Sequence, residues 1–167
     1  MGRVLTSAEL ASEARRLQAA GRTIAFANGH FDLLHVGHLR YLAAARAEAD
    51  HLVVAVNDDA SVRSLKGEGR PVVPAAERAE LLAALLPVDY VVIFTGNSPA
   101  ALLAEIRPDV HCKGTDYGTP ERVPEFSVVA AYGGRTALVG DPKDHATSDI
   151  ISKVRRLPAG DGKTALY

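Results

Sequence analysis

Cysteine is nearly absent from this sequence, which has a single one, Cys112, among 167 residues. One cysteine cannot form an internal disulfide, and nothing pairs with it as a metal site. Long apolar runs are also missing, since no stretch approaches the roughly 18 residues of a membrane-spanning helix. Residues 1–10 show no apolar segment followed by a cleavage site. We therefore expect a cytoplasmic protein with no membrane partner.

An excess of charge of either sign is lacking as well. Lysine and arginine together number 19, aspartate and glutamate number 20, and the net charge is -1. This balance gives no reason to expect nucleic acid or an acidic membrane surface as a partner, although a neutral chain can still contain a basic pocket. The length and the 47% apolar content suit one globular domain. We expect this domain to cover residues 1–157, followed by a flexible tail over 158–167.

Short apolar runs alternate with segments of helical spacing. The runs predict strands at 23–27, 52–56, 88–94, 109–112 and 136–139. The run 52–56 is apolar on both faces, as in a parallel sheet that is covered on both sides. Strands that alternate with helices favour right-handed crossovers. We predict an α/β Rossmann-like fold, a parallel five-stranded sheet with helices on both faces, which binds ligands beyond the carboxyl ends of its strands.

Capping residues and apolar periodicity predict the helices. Thr6 and Glu9 have the spacing of a capping box, which opens an N-terminal helix that ends at Gly21. The segment 65–74 carries glycines, prolines and charges, so it is predicted to be a loop. Three further helices are predicted over 37–49, from Ser98 to Ile106 and over 123–132. Another begins at Pro74 and has the apolar stripe Leu81, Leu82, Leu85 and Leu86. The last begins at Thr147 and has Ile150, Ile151 and Val154 on one face.

The segment 28–38 lies at a strand-to-helix junction and reads Asn-Gly-His-Phe-Asp-Leu-Leu-His-Val-Gly-His. Such a junction binds phosphates, because the helix N-terminus offers unpaired N–H groups and a positive dipole end. Gly37 lets a phosphate approach the backbone, while His35 and His38 share a helix face and can both donate hydrogen bonds to it. The alternatives are structural histidines or a zinc site, for which no third ligand stands at a typical spacing.

The same string resembles the signature of the cytidylyltransferase-like nucleotidyltransferase superfamily, Gly-x-Phe-Asp-x-x-His-x-Gly-His. The resemblance covers about residues 22–156 and is strongest to the bacterial heptose 1-phosphate adenylyltransferases, the second catalytic domain of bifunctional heptose enzymes. No kinase domain lies within these 167 residues, so we expect the stand-alone form. The segments that carry the resemblance are 56–63, 65–67, 69–72, 77–82, 88–92, 107–110 and 113–117.

The resemblance implies a role for each matching residue. His35 and His38 hold the triphosphate, and Lys66 reaches the α-phosphate or the acceptor phosphate, so these three are the expected catalytic residues. Arg63 and Arg70 are alternatives to Lys66. The residues expected to bind the nucleotide are Asn28, Gly29, His30, Phe31, Gly37, Arg78, His145, Thr147 and Ser148. Those expected to bind the acceptor are Asp32, Arg63, Lys113 and Asp116.

Several of these residues have a simpler interpretation. Lys66 alone reads as a solvated loop lysine and Arg78 as a charge on the outer face of a helix. Thr147 and Ser148 could be helix caps. Lys113 could form a buried salt bridge with a nearby acid. Asp32 is expected to brace its loop rather than to act as a base.

Two segments depart from the family pattern, slightly at Thr115, where glycine is common, and more at the start of the last helix. Relatives carry Ser-Thr-Thr or Ser-Thr-Ser at the start of the last helix, where this sequence has His145-Ala146-Thr147-Ser148. Ala146 therefore lacks the first hydroxyl. His145 stands where relatives often have arginine, which exchanges a permanent charge for a titratable one.

The implied reaction transfers AMP from ATP to a sugar 1-phosphate, above all a heptose 1-phosphate, and yields an ADP-sugar for lipopolysaccharide precursors and pyrophosphate. A phosphate monoester is already anionic at neutral pH, so the enzyme must align the reactants and neutralise charge. Mg²⁺ is expected to come with ATP, and no residue is assigned to it. The alternatives are a cytidylyltransferase acting on glycerol 3-phosphate or a similar alcohol phosphate, and a non-catalytic nucleotide-binding regulator. A homodimer is common among such small transferases.

Overall fold

Six parallel strands form a single sheet in the computed structural model, which describes residues 1–142 and 145–157. The strands are β1 (Arg3–Leu5), β2 (Ile24–Gly29), β3 (His51–Asn57), β4 (Tyr90–Phe94), β5 (Val110–Gly114) and β6 (Arg135–Val139). Their order across the sheet is β1-β4-β3-β2-β5-β6, and every neighbouring pair is parallel. The predicted Rossmann-like fold is therefore confirmed. The predicted tail, 158–167, lies outside the described residues.

Seven α-helices connect or flank the strands within the described residues. They are α1 (Ser7–Ala19), α2 (Val36–Arg46), α3 (Asp59–Lys66), α4 (Ala75–Ala83), α5 (Ala100–Ile106), α6 (Phe126–Ala131) and α7 (Thr147–Arg155). The predicted capping box is present, because Thr6 Oγ1 accepts from the N–H of Glu9 and the Glu9 carboxylate accepts from the N–H of Thr6. None of the described helices is long and apolar enough to span a bilayer.

The core consists of two layers, one on each face of the sheet. Side chains alternate along the strands, so Ile24 and Phe26 of β2 pack with α1, α5 and α6, whereas Ala25 and Ala27 pack with α2 and α4. Both faces of β2 and β3 are covered, which explains their continuous apolar sequences. This alternation also decides on which face the polar residues at the strand ends emerge.

The prediction of five strands is wrong by one. β1 has only three residues and pairs with β4 at the edge of the sheet, where Val4 lies opposite Val91. A three-residue run is too short to show a period in the sequence. The free edge of β4, a product of the tertiary fold, decides that residues 3–5 are extended.

Three helical predictions also need correction. Residues 65 and 66 belong to α3, a helix opened by Asp58 as its cap, and not to a loop. In α4 the buried face carries Ala79 and Leu82, so Leu81 lies on the outer face and is 49% exposed, and Leu86 stands beyond the end of the helix at Ala83 and is fully exposed. The supposed apolar face of α7 has no buried residue in the described part of the chain. Helical spacing alone could not separate these exposed leucines from core residues.

The chain reverses direction across the sheet at β2. From β2 it moves through β3 to β4 on one side, and then crosses back to β5 and β6 on the other. The loops that follow β2 and β5 therefore diverge at the carboxyl ends of these two strands, which leaves a crevice between the loops. This is the position at which open α/β sheets bind ligands.

Candidate active site

A cleft of about 730 Å³ opens at the carboxyl ends of the strands. It is lined by the loop after β2, the first turns of α2 and α7, the end of α3, and the segments after β4 and β5. Every site residue predicted from the sequence lines this cleft except Arg63 and Arg78. The fold thus gathers residues from positions 28 to 148 in one place.

His35 and His38 stand together at the start of α2. Their rings stack with centroids 3.8 Å apart, and the edge of Phe31 meets His38 at 5.2 Å. His35 is the N-cap of α2 and makes no side-chain cap hydrogen bond. A Cβ on Gly37 would lie 3.1 Å from both His35 Nδ1 and the Cβ of His145, so a larger residue would crowd the stack. This arrangement places two imidazoles beside a helix N-terminus, which suits an anionic ligand.

Three histidines of the cleft, His30, His35 and His38, have a lowered pKa, which favours their neutral form. Burial, together with the nearby His35, lowers the pKa of His38 to about 4. Burial also lowers the pKa of His35, with a further contribution from His145 that Asp149 opposes. Burial and the charges of three basic neighbours lower the pKa of His30 to about 4. An anionic ligand would stabilise the charged forms, so its binding favours proton uptake by these rings.

Stability should depend on pH through these histidines and through His111, which is fully buried and whose pKa burial lowers to about 3. The unfolded chain takes up protons below about pH 6.5, whereas the folded chain does not until its lower pKa is reached. The contribution is therefore complete above that pH and is lost as the pH falls toward 4 and 3. We expect urea titrations to give a lower free energy of unfolding at about pH 5 than at about pH 7.

The variant His111→Gln provides the control for that pH effect. It removes one buried titrating group, so the decline in stability between the two pH values should become shallower even if the variant is less stable at both. An identical decline in the two proteins would contradict the assignment of this pH dependence to His111.

Asp32 braces the segment that follows α3. Its carboxylate is 2% exposed and accepts hydrogen bonds from Arg70 Nε at 2.6 Å and from the N–H groups of Val72 and Val73 at 2.8 and 2.9 Å. The expected bracing role thus has a concrete geometry, and Asp32 also lines the cleft. Acceptor binding by Asp32 stays a prediction.

Lys66 is the last residue of α3 and lines the cleft, although it is exposed. Residues 63–69 are all exposed, and Gly67 and Gly69 have φ of 88° and 78°. The glycines of residues 65–72 predict a lid that orders on substrate binding, and in the structure this segment divides into an exposed tip that carries Lys66 and an end anchored by Asp32. We expect the tip alone to close over bound substrates.

Limited proteolysis measures this closure. Trypsin should cut after the exposed Lys66, whereas Arg70 is protected from trypsin by the proline that follows it. We expect ATP with an acceptor to slow the cut after Lys66, while a cut after Arg22, at the opposite end of the sheet, keeps its rate. Equal rates at Lys66 with and without ligands would indicate a static tip.

Arg78 lies in neither of the two places expected for it, the lining of the cleft and the outer face of a helix. It is fully buried, and its guanidinium donates to the carbonyl oxygens of Val73, His30 and Asn57 and to Asp59 Oδ1. All three nitrogens are thus engaged by the protein, and Arg78 neither lines the cleft nor lies on an outer face. It positions the loops after β2 and β3 from beneath.

Two other predictions about single residues change. Arg63 lies on the exposed side of α3 and is not among the residues that line the cleft. Thr147 and Ser148 line the cleft but do not cap α7, whose N-cap is Ala146 with no side-chain cap bond. The alanine therefore occupies the position at which a serine would have capped this helix.

The opposite half of the cleft is built from β2 and β5. Asn28 Oδ1 accepts from Lys113 Nζ at 3.3 Å and contacts His111 Nε2 at 3.1 Å. Lys113 also lies 5.2 Å from the ring centroid of Tyr117, and burial lowers the pKa of its ammonium group. Lys113 therefore donates its hydrogen bond to the side-chain amide oxygen of Asn28, and not to a carboxylate as the salt-bridge alternative would require. This leaves a cation beside the cleft, where an anionic ligand can reach it.

Sequence reasoning missed several polar residues of the cleft, among them Tyr41, Asn57, Asn97 and Glu125. Tyr41 donates to the carbonyl of Cys112 at 2.7 Å, and Asn57 donates to the carbonyl of Gly96 at 3.0 Å. Asn97 and Glu125 line the cleft from the segments after β4 and β5. Asn57 belongs to a segment that carries the family resemblance, but Glu125 has no signal of its own because it stands in what reads as an ordinary short helix.

A metal centre is not formed by the residues that the structure describes, among which no group of three histidine, cysteine, aspartate or glutamate side chains has suitable geometry. His145 lies near His35, with ring centroids 6.3 Å apart, but the rings stack instead of pointing at a common centre. The zinc alternative for the histidines therefore has no support from the described part of the chain.

Comparisons with known proteins agree with this geometry. The cytidylyltransferase-like family profile matches residues 26–150. The chain is 51% identical over 139 residues to the bifunctional protein HldE of Geobacter metallireducens and 45% identical over 155 residues to that of Alkalilimnicola ehrlichii. These alignments cover 83% and 93% of this chain but 28% and 32% of the relatives, so the chain spans less than a third of their length.

Solved structures share the fold. The lipopolysaccharide core biosynthesis protein of Thermoplasma volcanium superposes with a TM-score of 0.63 at 26% identity, over 73% of this chain and 99% of that one. Pantothenate synthetase of Thermus thermophilus superposes with a TM-score of 0.57 at 19% identity, over 84% of this chain and 61% of that one. At this identity the likeness shows a shared fold and nothing more. Since the family profile covers most of the chain, including the histidine cleft, the chain belongs to the cytidylyltransferase-like family of nucleotidyltransferases.

Proposed function

We propose that this nucleotidyltransferase transfers AMP from ATP to a sugar 1-phosphate, a heptose 1-phosphate above all, and releases pyrophosphate. The observation that carries the proposal is the cleft itself, in which two stacked histidines at a helix N-terminus face a half that contains a half-buried lysine, Lys113. The name of one structural relative, a lipopolysaccharide core biosynthesis protein, supports a sugar as the acceptor.

The two halves of the cleft follow from the alternation of side chains along the strands. His35 and His38 belong to α2, which covers the face of β2 that carries Ala25 and Ala27. Asn28 and Lys113 emerge on the other face, which carries Phe26 and packs against α6. We call these the α2 half and the α6 half. We assign the triphosphate to the α2 half and the acceptor to the α6 half.

The reaction needs alignment more than acid-base chemistry. An oxygen of the acceptor phosphate attacks the α-phosphorus of ATP, and the bond from that phosphorus to the bridging oxygen of the β-phosphate breaks. His35, His38 and the N–H groups at the start of α2 would hold the departing pyrophosphate, and Lys66 would approach from the lid. Mg²⁺ enters as part of the MgATP substrate. Because the reaction consumes ATP, we place the enzyme in the cytoplasm.

The assay that tests this function is pyrophosphate release with each nucleoside triphosphate against a panel of phosphorylated acceptors. We expect the highest kcat/KM for ATP with a sugar 1-phosphate, since discrimination lies in the transition state. A preference for CTP with glycerol 3-phosphate would replace the proposal by the cytidylyltransferase alternative. Binding of ATP without turnover of any acceptor would instead favour a regulator, the alternative to which Ala146 points.

Lys113→Ala separates the two halves of the cleft. The lysine lies in the α6 half, so its loss should raise the KM of the sugar phosphate by about tenfold or more while the affinity for ATP stays near that of the parent. Substrate titrations and calorimetry with ATP measure the two effects. A variant that loses ATP affinity and keeps its acceptor KM would show that the halves are assigned the wrong way round.

A further inference from the structure

Glu125 is a buried acidic residue that the reaction described above does not use. It is 5% exposed, stands immediately before α6 and lines the cleft. Its Oε1 accepts a hydrogen bond from Ser98 Oγ at 2.8 Å, whereas Oε2 has no hydrogen-bond partner among the described residues. A buried carboxylate oxygen without a partner is costly, so a group that supplies a donor should occupy the adjacent space.

Ser98 fixes the direction of the carboxylate. The serine hydroxyl accepts from the N–H of Ala100 at 3.3 Å and donates to Oε1 of Glu125. Its hydrogen is thereby committed to the glutamate, and the glutamate cannot turn without losing this bond. Because Ser98 follows β4 and Glu125 follows β5, the contact joins two loops at the rim of the cleft.

The surroundings of Glu125 belong to the α6 half of the cleft. Its charge acts on Lys113, where it opposes the effect of burial on the ammonium group, and Asp116 acts in the same sense. The α6 half therefore presents a cation and, near it, a fixed hydrogen-bond acceptor. A ligand that carries both an anionic group and hydroxyl groups complements this pair, since a hydroxyl can donate to the carboxylate while the phosphate stays beside the lysine.

We propose that Glu125 determines acceptor specificity by accepting, through Oε2, a hydrogen bond from a ring hydroxyl of the acceptor sugar. The inference rests on the proposed function, which supplies a sugar phosphate as the acceptor. The carboxylate repels the acceptor's own phosphate and so also fixes the orientation of the sugar, with its phosphate toward Lys113 and the histidines.

A series of monodeoxy sugar 1-phosphates tests this contact, with the heptose 1-phosphate and D-mannose 1-phosphate as the parent compounds. In the wild-type enzyme, removal of the contacted hydroxyl should lower kcat/KM by about tenfold to a hundredfold, the range for a hydrogen bond to a charged group. In Glu125→Ala the parent and that deoxy compound should react at nearly equal rates. The KM for ATP should stay unchanged in the variant.

Two further variants guard against a merely structural effect. Glu125→Gln keeps the volume and can keep the bond to Ser98 through its carbonyl oxygen, but it puts a neutral NH₂ donor where Oε2 stood, so it should fold like the wild type and discriminate less than the wild type. Glu121→Gln removes an exposed glutamate that does not line the cleft, and should leave both discrimination and rate as they are. Thermal melts of all three variants identify any that is unfolded.

The outcomes separate the two levels of the proposal. A wild-type enzyme that turns over no sugar 1-phosphate overturns the proposed function and, with it, the role of Glu125. Turnover with the same discrimination in wild type and Glu125→Ala overturns the role of Glu125 alone. A loss of ATP affinity in Glu125→Ala, with acceptor discrimination intact, would assign Oε2 to the ribose and also overturn it.

Discussion

Replacing either His35 or His38 by alanine should lower the rate of pyrophosphate release by at least about a hundredfold, the scale of losing one group that stabilises charge in the transition state. The two rings stack at 3.8 Å and open the helix at which the triphosphate is assigned, so each contributes both a hydrogen bond and the position of the other. The measurement is kcat with saturating ATP and acceptor, together with a melting curve for each variant.

His51→Ala is the matched control for the histidine variants. His51 opens β3 at the far end of the sheet from the cleft, where it meets Asp89. Its removal should leave kcat within about twofold, as expected for a side chain that touches neither substrate. Near-normal rates in both His35→Ala and His38→Ala would remove the triphosphate site from α2.

Arg78→Met should destabilise the protein by about 3–5 kcal/mol, because three backbone carbonyls lose their donor in a buried place where water cannot replace it. The affected carbonyls belong to Val73, His30 and Asn57, in the loops that form the floor and the rim of the cleft. The activity at low temperature should also fall, since the loop that carries the histidine motif loses its anchor. Urea denaturation and the pyrophosphate assay measure the two effects.

The control is Arg15→Met, which changes an exposed arginine of α1 in the same way. Its free energy of unfolding should differ from the parent by no more than about 0.5 kcal/mol. If Arg78→Met is as stable as Arg15→Met, the hydrogen bonds of Arg78 are replaced on mutation and its anchoring role is wrong.

Much of the site was predictable because its chemistry is encoded in one contiguous string. The histidines, Gly37 and the start of α2 all lie within residues 28–38, so local sequence determines a helix N-terminus with two imidazoles beside it. The family resemblance extended this prediction to Lys66 and Lys113, which line the cleft. Roles in catalysis stay predictions for all of these residues until the variants are measured.

Other residues could not be assigned from the sequence, because their roles depend on partners distant in the chain. Arg78 and Leu81 lie three residues apart in α4, yet the arginine is fully buried and the leucine is half exposed. The arginine is buried because carbonyls from three separate segments converge on it. Glu125 likewise gains its meaning from Ser98, a residue that precedes it by 27 positions.

The sequence by itself determined the parallel α/β fold and the strand-to-helix junction that brings two histidines to the start of α2, since apolar periodicity, capping residues and the histidine motif act over short stretches of chain. The tertiary structure alone decided the sixth strand, the burial of Arg78 and the division of the cleft into two halves. Each of these depends on the face of the sheet from which a side chain emerges and on the elements that pack against that face. Strand order and register determine both, and short-range sequence patterns do not contain them.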